Sequence, residues 1–482
     1  MMLRVAFRSL TTRPLRSAVL AAGFGLGIGV MVELLGVGEV ILEQAHSPAL
    51  QGGGDLVVSS DVGPLRGARF VLEDVLGSPR FRGRLRAASP SKRATVYLLR
   101  PGQTIPIAAQ AGVPSLERAV GDREVADQRA WHDGPADAEW THPSREQILR
   151  SLDRFHPVPP AASDASTEAA ADAAGAGGVD RRSWAEWLYF NGRSRDGSLR
   201  FYLSFIAGPP GPEGARTVGV HLQLDRDGRS SSYVSKGTVN DRELLDHAPD
   251  LDAGANRVRL AGSRYEISLD LEAGSTDPAA GQVHRVRRRA VGTISLDVAA
   301  GRSLPPAEIH GAGGWVSGYV VPALAGTFHG ALSIGGEVVS VDGLAGYHDH
   351  NWGFWEGVRW QWGQVSNGEL SIVFGRVFPP AAVADANRIP GFLGVLGPDG
   401  PIGFSTNVSI QEEGGAGRPR AIAVRAVSGD RTDLSLRLTV AETEQTATFL
   451  QLGGVYDVSG RVDGRDVAFT ARGSAETFRP NP

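Results

Sequence analysis

The chain has 482 residues, no cysteine, and a formal net charge of -4 with 21% charged residues. The absence of cysteine excludes disulfides, thiolate nucleophiles and cysteine metal sites, and the lack of a strong basic field argues against a nucleic-acid partner. The length suits roughly two or three domains, and 63 glycines against 3 methionines point to a turn-rich, mainly β protein.

Arg4, Arg8, Arg13 and Arg16 precede an apolar run from Ser17 to Val32, which resumes after Glu33 and continues to Leu42. A bilayer takes roughly 20 residues to cross, so residues 1–45 read as a cytoplasmic arm and a single transmembrane anchor. The basic flank predicts an N-terminus in the cytoplasm and the bulk of the chain outside the inner (cytoplasmic) membrane, in the periplasm. A cleaved signal peptide is the alternative, although the nearest small-residue site lies only at Gln44-Ala45-His46. Glu33 is costly within a span and is expected near the outer interface.

Residues 46–156 read as a small extracytoplasmic α+β segment. It contains strand-like pieces at Leu56–Val58, Ala94–Leu99 and Ile105–Ile107, an arginine-rich stretch from Arg80 to Arg93, and a helix over Ser144 to Phe155. The arginines suit either a solvated face or anionic lipid head groups. Pro157 to Asp180 is Pro-, Ala-, Ser-, Asp- and Gly-rich and reads as a flexible linker.

After it the pattern is β to the end. Phe201–Ile206, Val218–Leu224, Arg257–Leu260, Tyr265–Leu269, Thr293–Val298, Glu369–Phe374, Gly394–Leu396, Leu434–Val440, Ala447–Leu450 and Val467–Phe469 are strand-like and separated by Gly, Asp and Asn turns. Such spacing suggests sandwiches or barrels. Two units fit, 181–340 and 341–482.

The densest chemistry is Gly346-Tyr347-His348-Asp349-His350-Asn351-Trp352-Gly353, followed by Trp355, Trp360, Trp362 and Gly363. In a strand, alternate side chains share a face. Tyr347, Asp349 and Asn351 then lie on one side, and His348, His350 and Trp352 on the other. An acid among hydrogen-bonding neighbours, beside imidazoles and indoles, is what an apolar-ligand cavity with one proton donor requires. A second aromatic cluster, Trp184-Ala185-Glu186-Trp187-Leu188-Tyr189-Phe190, opens the β region.

Bland readings stand beside these. The histidines could be satisfied structural groups, and Asp349 could anchor a turn or pair with Arg359 or Arg376. The tryptophans could be barrel core. A metal would need a third ligand beyond His348 and His350, with His310, His329 and Glu356 as the options. No metal or other cofactor is expected. Gly-x-Ser-x-Gly is absent, so no hydrolase nucleophile is expected.

Glu186-Trp187-Leu188-Tyr189-Phe190, Gly346 to Gly353 and Trp360-Gln361-Trp362-Gly363 together resemble, in order and spacing, the AttH-like and carotenoid 1,2-hydratase (hydroxyneurosporene synthase, CrtC-like) proteins, which also look related to certain fungal Diels–Alderases. The resemblance covers about Trp184 to Pro480. It implies two tandem lipocalin-like (calycin) barrels with an apolar cavity in or between them. In the hydratases one acid protonates an isolated alkene and water then adds. Carried over, Asp349 is the acid and Tyr347 its polar companion, with His350 beside them. His348, Trp352, Trp355, Trp360, Trp362, Trp187 and Tyr189 would line the ligand. The hydratases also place a histidine and a tryptophan upstream, where this chain has Ser317-Gly318-Tyr319-Val320-Val321-Pro322.

The first sixty residues are similar to the opening of FtsX/MacB-type ABC-transporter permeases, on Phe7-Arg8-Ser9-Leu10, Arg13-Pro14-Leu15-Arg16, the glycines at 23, 25, 27 and 29, and Gly52-Gly53-Gly54-Asp55-Leu56-Val57-Val58. That implies a membrane anchor and an ABC transport system as a companion. The chain is thus expected to be an anchored, external, lipocalin-like protein that binds a lipid or isoprenoid. The alternative is a hydro-lyase or isomerase using Asp349.

Overall fold

The computed structural model describes residues 65–100, 103–126, 128–159, 179–274, 289–414, 418–429, 431–445 and 449–478, with residues 15, 31–33, 37, 54 and 56–59 nearer the N-terminus. Most of the expected anchor and of the expected linker therefore lies outside the described residues. Among the described residues no helix is long and apolar enough to cross a membrane.

The chain divides into two units, residues 1–64 with 85–137, and residues 65–84 with 138–482. In the first, β1 (Ser91–Arg100) and β2 (Gln103–Gly112) form an antiparallel hairpin with Tyr97 opposite Pro106. Leu56–Val58, expected as a strand, is in none.

The second unit begins earlier than expected. Phe70, Ile148 and Leu152 are buried with Trp184, Trp315 and Trp352, so 65–84 and 138–156 belong to the β unit and not to a separate segment. The helix α1 spans Arg145–Leu152. Ser144 caps it, its Oγ accepting from the Gln147 N–H while the Gln147 side chain accepts from the Ser144 N–H, which satisfies two otherwise orphaned donors. Asp153 follows the last turn and leads the chain inward, where Leu149 and Phe155 join the core of the first sheet.

That sheet contains β3 (Trp184–Arg193), β4 (Leu199–Pro210), β5 (Ala215–Arg226), β6 (Arg229–Asn240), β7 (Leu251–Ala253), β8 (Asn256–Ala261), β9 (Arg264–Ala273), β10 (Arg289–Val298), β11 (Leu304–His310), β12 (Val316–Ile334), β13 (Glu337–Ser340) and β14 (Ala345–Phe354). Strands β3, β4, β5, β6, β9, β10, β12 and β14 pair in that order, and β14 returns to β3, closing an eight-stranded antiparallel barrel. This is the up-and-down order that lipocalin barrels use. β6 meets β9 only through Tyr233 and Val234, and the short strands β7, β11 and β13 lie at the margins of the barrel.

The second sheet contains β15 (Arg359–Ser366), β16 (Ser371–Phe378), β17 (Phe392–Gly397), β18 (Gly400–Ser405), β19 (Asn407–Glu413), β20 (Ala421–Ser428), β21 (Thr432–Gln445), β22 (Phe449–Val462) and β23 (Arg465–Phe478). Its nine strands run β18-β17-β16-β15-β23-β22-β21-β20-β19. The barrel is nearly closed, with the Ser405 hydroxyl bridging to the Val427 carbonyl at 2.7 Å.

The motif strand corrects the expected boundary at residue 340. β14 was expected to open the second barrel, but it pairs on both sides within the first, Asp349 opposite Tyr189 on β3 and Tyr319 opposite Asn351 on β12. The division between the sheets falls after Phe354. Each barrel has its own apolar core. A third cluster joins Tyr189, Tyr202 and Tyr347 on the outside of the first barrel to Trp362, Val373 and Leu396 of the second.

Close packing behind the motif gives a direct test. A Cβ on Gly318 of β12 would lie 2.0 Å from the Trp352 indole. The indole is 1% exposed and held by an N–H donated to Glu308 at 2.9 Å. Gly318→Ala is expected to lower the unfolding free energy by about 2 kcal/mol, a typical cost of overpacking, read by urea denaturation. An unchanged midpoint would contradict this packing.

Candidate functional site

Both faces of β14 carry polar chemistry, and they differ. The inner face holds His348, His350 and Trp352 inside the first barrel, both histidines fully buried. Asp153 lies between them. Its Oδ2 is 2.9 Å from His348 Nε2 and accepts from the Tyr265 hydroxyl at 2.9 Å, and its Oδ1 is 2.7 Å from His350 Nδ1. The other nitrogen of His350, Nε2, lies 3.1 Å from Glu186 Oε1. Glu186 on β3 also meets His156 Nδ1 at 2.7 Å and the Arg216 guanidinium at 3.4 Å.

Charge and burial compete here. Burial alone would push the His350 imidazole down. The carboxylates of Asp153 and Glu186, one on each ring nitrogen, more than reverse this and hold it at about 9. Burial would raise Asp153, but the two imidazoles bonded to it hold it well below the usual carboxylate range. Burial would likewise raise Glu186, and His156 and His350 hold it at about 2. Fully buried, charged and mutually bonded, these groups tie the segment after α1 to β3 and β14.

The outer face is different. Tyr347, Asp349 and Asn351 point toward the second barrel. The Trp362 indole N–H donates to the Tyr319 hydroxyl at 2.9 Å, and the Tyr319 and Tyr347 hydroxyls lie 2.7 Å apart. Tyr347 donates to Asp349 Oδ2 at 2.7 Å, and the Asn351 amide donates to Oδ1 at 2.8 Å. Burial pushes the Asp349 carboxyl well above its ordinary range. The Tyr347 bond opposes this, and the nearby charge of Glu476 adds to the rise. Among the described residues no cation is bonded to Asp349, so no ion pair offsets the effect of burial, which favours the protonated form.

Across the interface, Glu476 on β23 is also buried. Burial lifts its carboxyl to about 7, although Tyr189, Gln451 and Trp360 all donate to it. Gln451 donates to both the Tyr189 hydroxyl, at 2.8 Å, and Glu476 Oε1, at 3.2 Å. Above the acids, half-exposed Trp187, Trp355 and Trp360 form an aromatic rim with ring centroids 4.6 to 6.2 Å apart. An apolar rim over a neutral acid and a second carboxyl near neutrality can bind an apolar molecule and move a proton.

Tyr347, Asp349, Trp187, Tyr189, Trp355, Trp360 and Trp362 thus meet at one place. The other site residues do not. His350, expected beside Asp349, faces the barrel interior with both nitrogens engaged. His348 and Trp352, expected to line the ligand, are also internal, His348 stacked on Phe190 at 4.1 Å and Trp352 on His156 at 3.9 Å. Neither Arg359 nor Arg376 pairs with Asp349. The sequence reading missed Asp153, His156, Arg216, Tyr265, Gln451 and Glu476. Glu186 was visible only as part of a motif, and Tyr319 only as a neighbour of the hydratase positions.

Among the described residues, His156, Glu186 and His350 have a spacing able to hold a metal ion, with ligand atoms within 4.8 Å of one another. The residues suggested for a third ligand, His310, His329 and Glu356, are not in it. The Arg216 guanidinium and the doubly bonded His350 already supply positive charge to that carboxylate, so the cluster is satisfied as a charge network without an ion.

No family model matches this chain, and no curated protein does. Solved structures are similar at a distance. An AttH from Nitrosomonas europaea matches at 16% identity and TM-score 0.39 over 67% of this chain and 99% of that one. Kievitone hydratase from Nectria haematococca matches at 15% and 0.38 over 62% and 89%. CghA with Sch210972 matches at 12% and 0.43 over 61% and 88%.

The inner network has a pH signature. A histidine raised from 6.5 to about 9 in the fold contributes stability fully below pH 6.5, which is lost as pH rises through 9. The melting temperature of the second unit is expected to fall over that window. His350→Gln should remove much of the slope and cost about 3 kcal/mol or more, because two buried carboxylates lose their shared cation. A variant as stable as the parent at pH 6 would contradict the network.

Proposed function

We propose that this chain binds an apolar, lipid- or isoprenoid-like molecule at the face between its two barrels. The observation that carries the reading is the buried Asp349 carboxyl, whose protonated form burial favours, beside the half-buried rim of Trp187, Trp355 and Trp360. A charged acid there would repel an apolar ligand through its retained hydration. A neutral one with both oxygens already accepting hydrogen bonds presents the ligand with a single O–H. The N-terminal sequence supports placing this site outside the cytoplasmic membrane, on an anchor and beside an ABC transport system. That part of the proposal rests on residues 1–42 and the permease resemblance alone.

The same acid favours a second reading, a hydro-lyase or isomerase on an unsaturated ligand, as the motif resemblance implies. Asp349 gives its proton to one alkene carbon, and the π pair becomes the new C–H bond. The neighbouring carbon is left cationic beside aromatic faces, which attract positive charge. A water oxygen adds to that carbon, and the proton it sheds passes to the Glu476 carboxylate. Asp349 must be reprotonated before the next cycle. Two acids whose environments set different proton affinities are what such a division of labour needs.

Native mass spectrometry of the full chain purified from membranes is expected to show a co-purifying apolar molecule, retained in Asp349→Asn. If the chain is a hydratase, incubating the identified molecule in 18O-labelled water incorporates label with the parent. Asp349→Asn slows this by at least about 100-fold, the low end for losing a general acid. An empty chain that takes up no lipid or polyene would overturn the binding reading, and unslowed labelling in the variant would overturn the role of Asp349.

A further inference from the structure

A narrow cleft opens between the barrels beside the aromatic site, lined by Arg193, Arg200, Tyr202, Glu442, Arg472 and Ser474. Its three guanidiniums are not equally satisfied. Arg200 is neutralised by Asp225, at 2.6 Å, and by Glu442. Arg193 on β3 makes one side-chain hydrogen bond, to the Ser474 hydroxyl at 3.2 Å, and no described carboxylate pairs with it. Arg193 is half-buried, and burial pulls its guanidinium below its ordinary range. Arg472 on β23 is half-buried and likewise has no described carboxylate partner. Its guanidinium crosses to the first barrel, where a Cβ on Gly197 would lie 2.7 Å from Nη1. A half-buried guanidinium without a carboxylate partner, facing a cleft beside a second, is arranged to receive an anion.

A row of buried aromatic rings runs from the cleft toward the acid. The Arg200 guanidinium lies 6.0 Å from the Tyr202 ring. Tyr202 stacks on Tyr189 at 6.4 Å, and Tyr189 meets Tyr347 and Trp362 at 6.3 Å each. Glycines at 453, 454 and 473 keep the opposite wall bare of side chains. A cationic end and an aromatic, neutral-acid end on one interface match the two ends of an amphipathic molecule.

Building on the apolar-ligand reading, we propose that Arg193 and Arg472 bind the anionic head, a carboxylate or a phosphate, of an amphipathic ligand at the cleft between the barrels. Specificity then comes from the cleft and chemistry from Asp349.

The test uses the full chain in detergent and three probes with one tail: oleate, oleyl phosphate and oleyl alcohol, followed by quenching of tryptophan fluorescence. At least one acid is expected to bind about tenfold more tightly than the alcohol, as one good charge-assisted contact provides. Whichever acid binds more tightly identifies the head as carboxylate or phosphate. Arg472→Gln, at a half-buried position, should bring the acids down to the alcohol and leave the alcohol unchanged. Arg193→Gln should do the same if it folds, and Arg472→Gln decides alone if it does not. Equal binding of all three probes, or an equal loss for all three in Arg472→Gln, would overturn the head-group site while leaving the apolar-ligand reading intact. No binding of any probe would overturn both.

Discussion

Asp153 and Glu186 hold His350 between them, and much of the second unit depends on that clamp. The two carboxylates come from different parts of the chain, one just past α1 and one on β3, and the imidazole comes from β14. Each bond joins segments at least 164 residues apart. Three buried charges would be expensive singly, but together, with Arg216 on the far side of Glu186, they exchange hydration for direct bonds. With His350 fixed, the orientation of β14 is fixed, because a shift of one residue would turn every side chain to the other face. The clamp inside the barrel thereby aims Tyr347, Asp349 and Asn351 outward.

One strand thus carries carboxyl chemistry of opposite sense on its two sides. Inside, the acids beside β14 are paired with imidazoles and a guanidinium, and they ionise despite complete burial. Outside, Asp349 has only a phenol and an amide as partners. Neutral donors offset desolvation less than cations do, so burial wins and the proton stays. Glu476 lies between these limits, dry but bonded to three neutral donors. The second barrel makes this possible: it removes water from the outside of the first and brings Trp362, Gln451 and Glu476 across the gap.

Much of this organisation was legible in the sequence. The period-two pattern of Gly346 to Gly353 sorts its residues into the two faces that the fold shows, and the apolar runs of 201–206, 218–224 and 265–269 lie within β4, β5 and β9. The helix expected over Ser144 to Phe155 is α1, Arg145–Leu152. Alternation says which residues share a face but not which face is the lumen, so His348, His350 and Trp352 read as a cavity wall when they are core. Pairing register is invisible locally. The boundary expected at residue 340 falls at the end of β13, which is only a short excursion from β12, and β14 returns to close the barrel. Asp153, Gln451 and Glu476 belong to no local motif, and only their partners, far along the chain, give them a role.

The central claim is that Asp349 is a neutral acid at pH 7. The most direct measurement is carbon-13 NMR of the side-chain carboxyls in aspartate-labelled protein, with Asp349→Asn used to assign the Asp349 signal. The account predicts a protonated-carboxyl shift that persists at pH 7 and moves only at higher pH. A signal already at the ionised position at pH 5 would mean that the outer face holds a carboxylate, and the proton-donor reading of the site would be wrong.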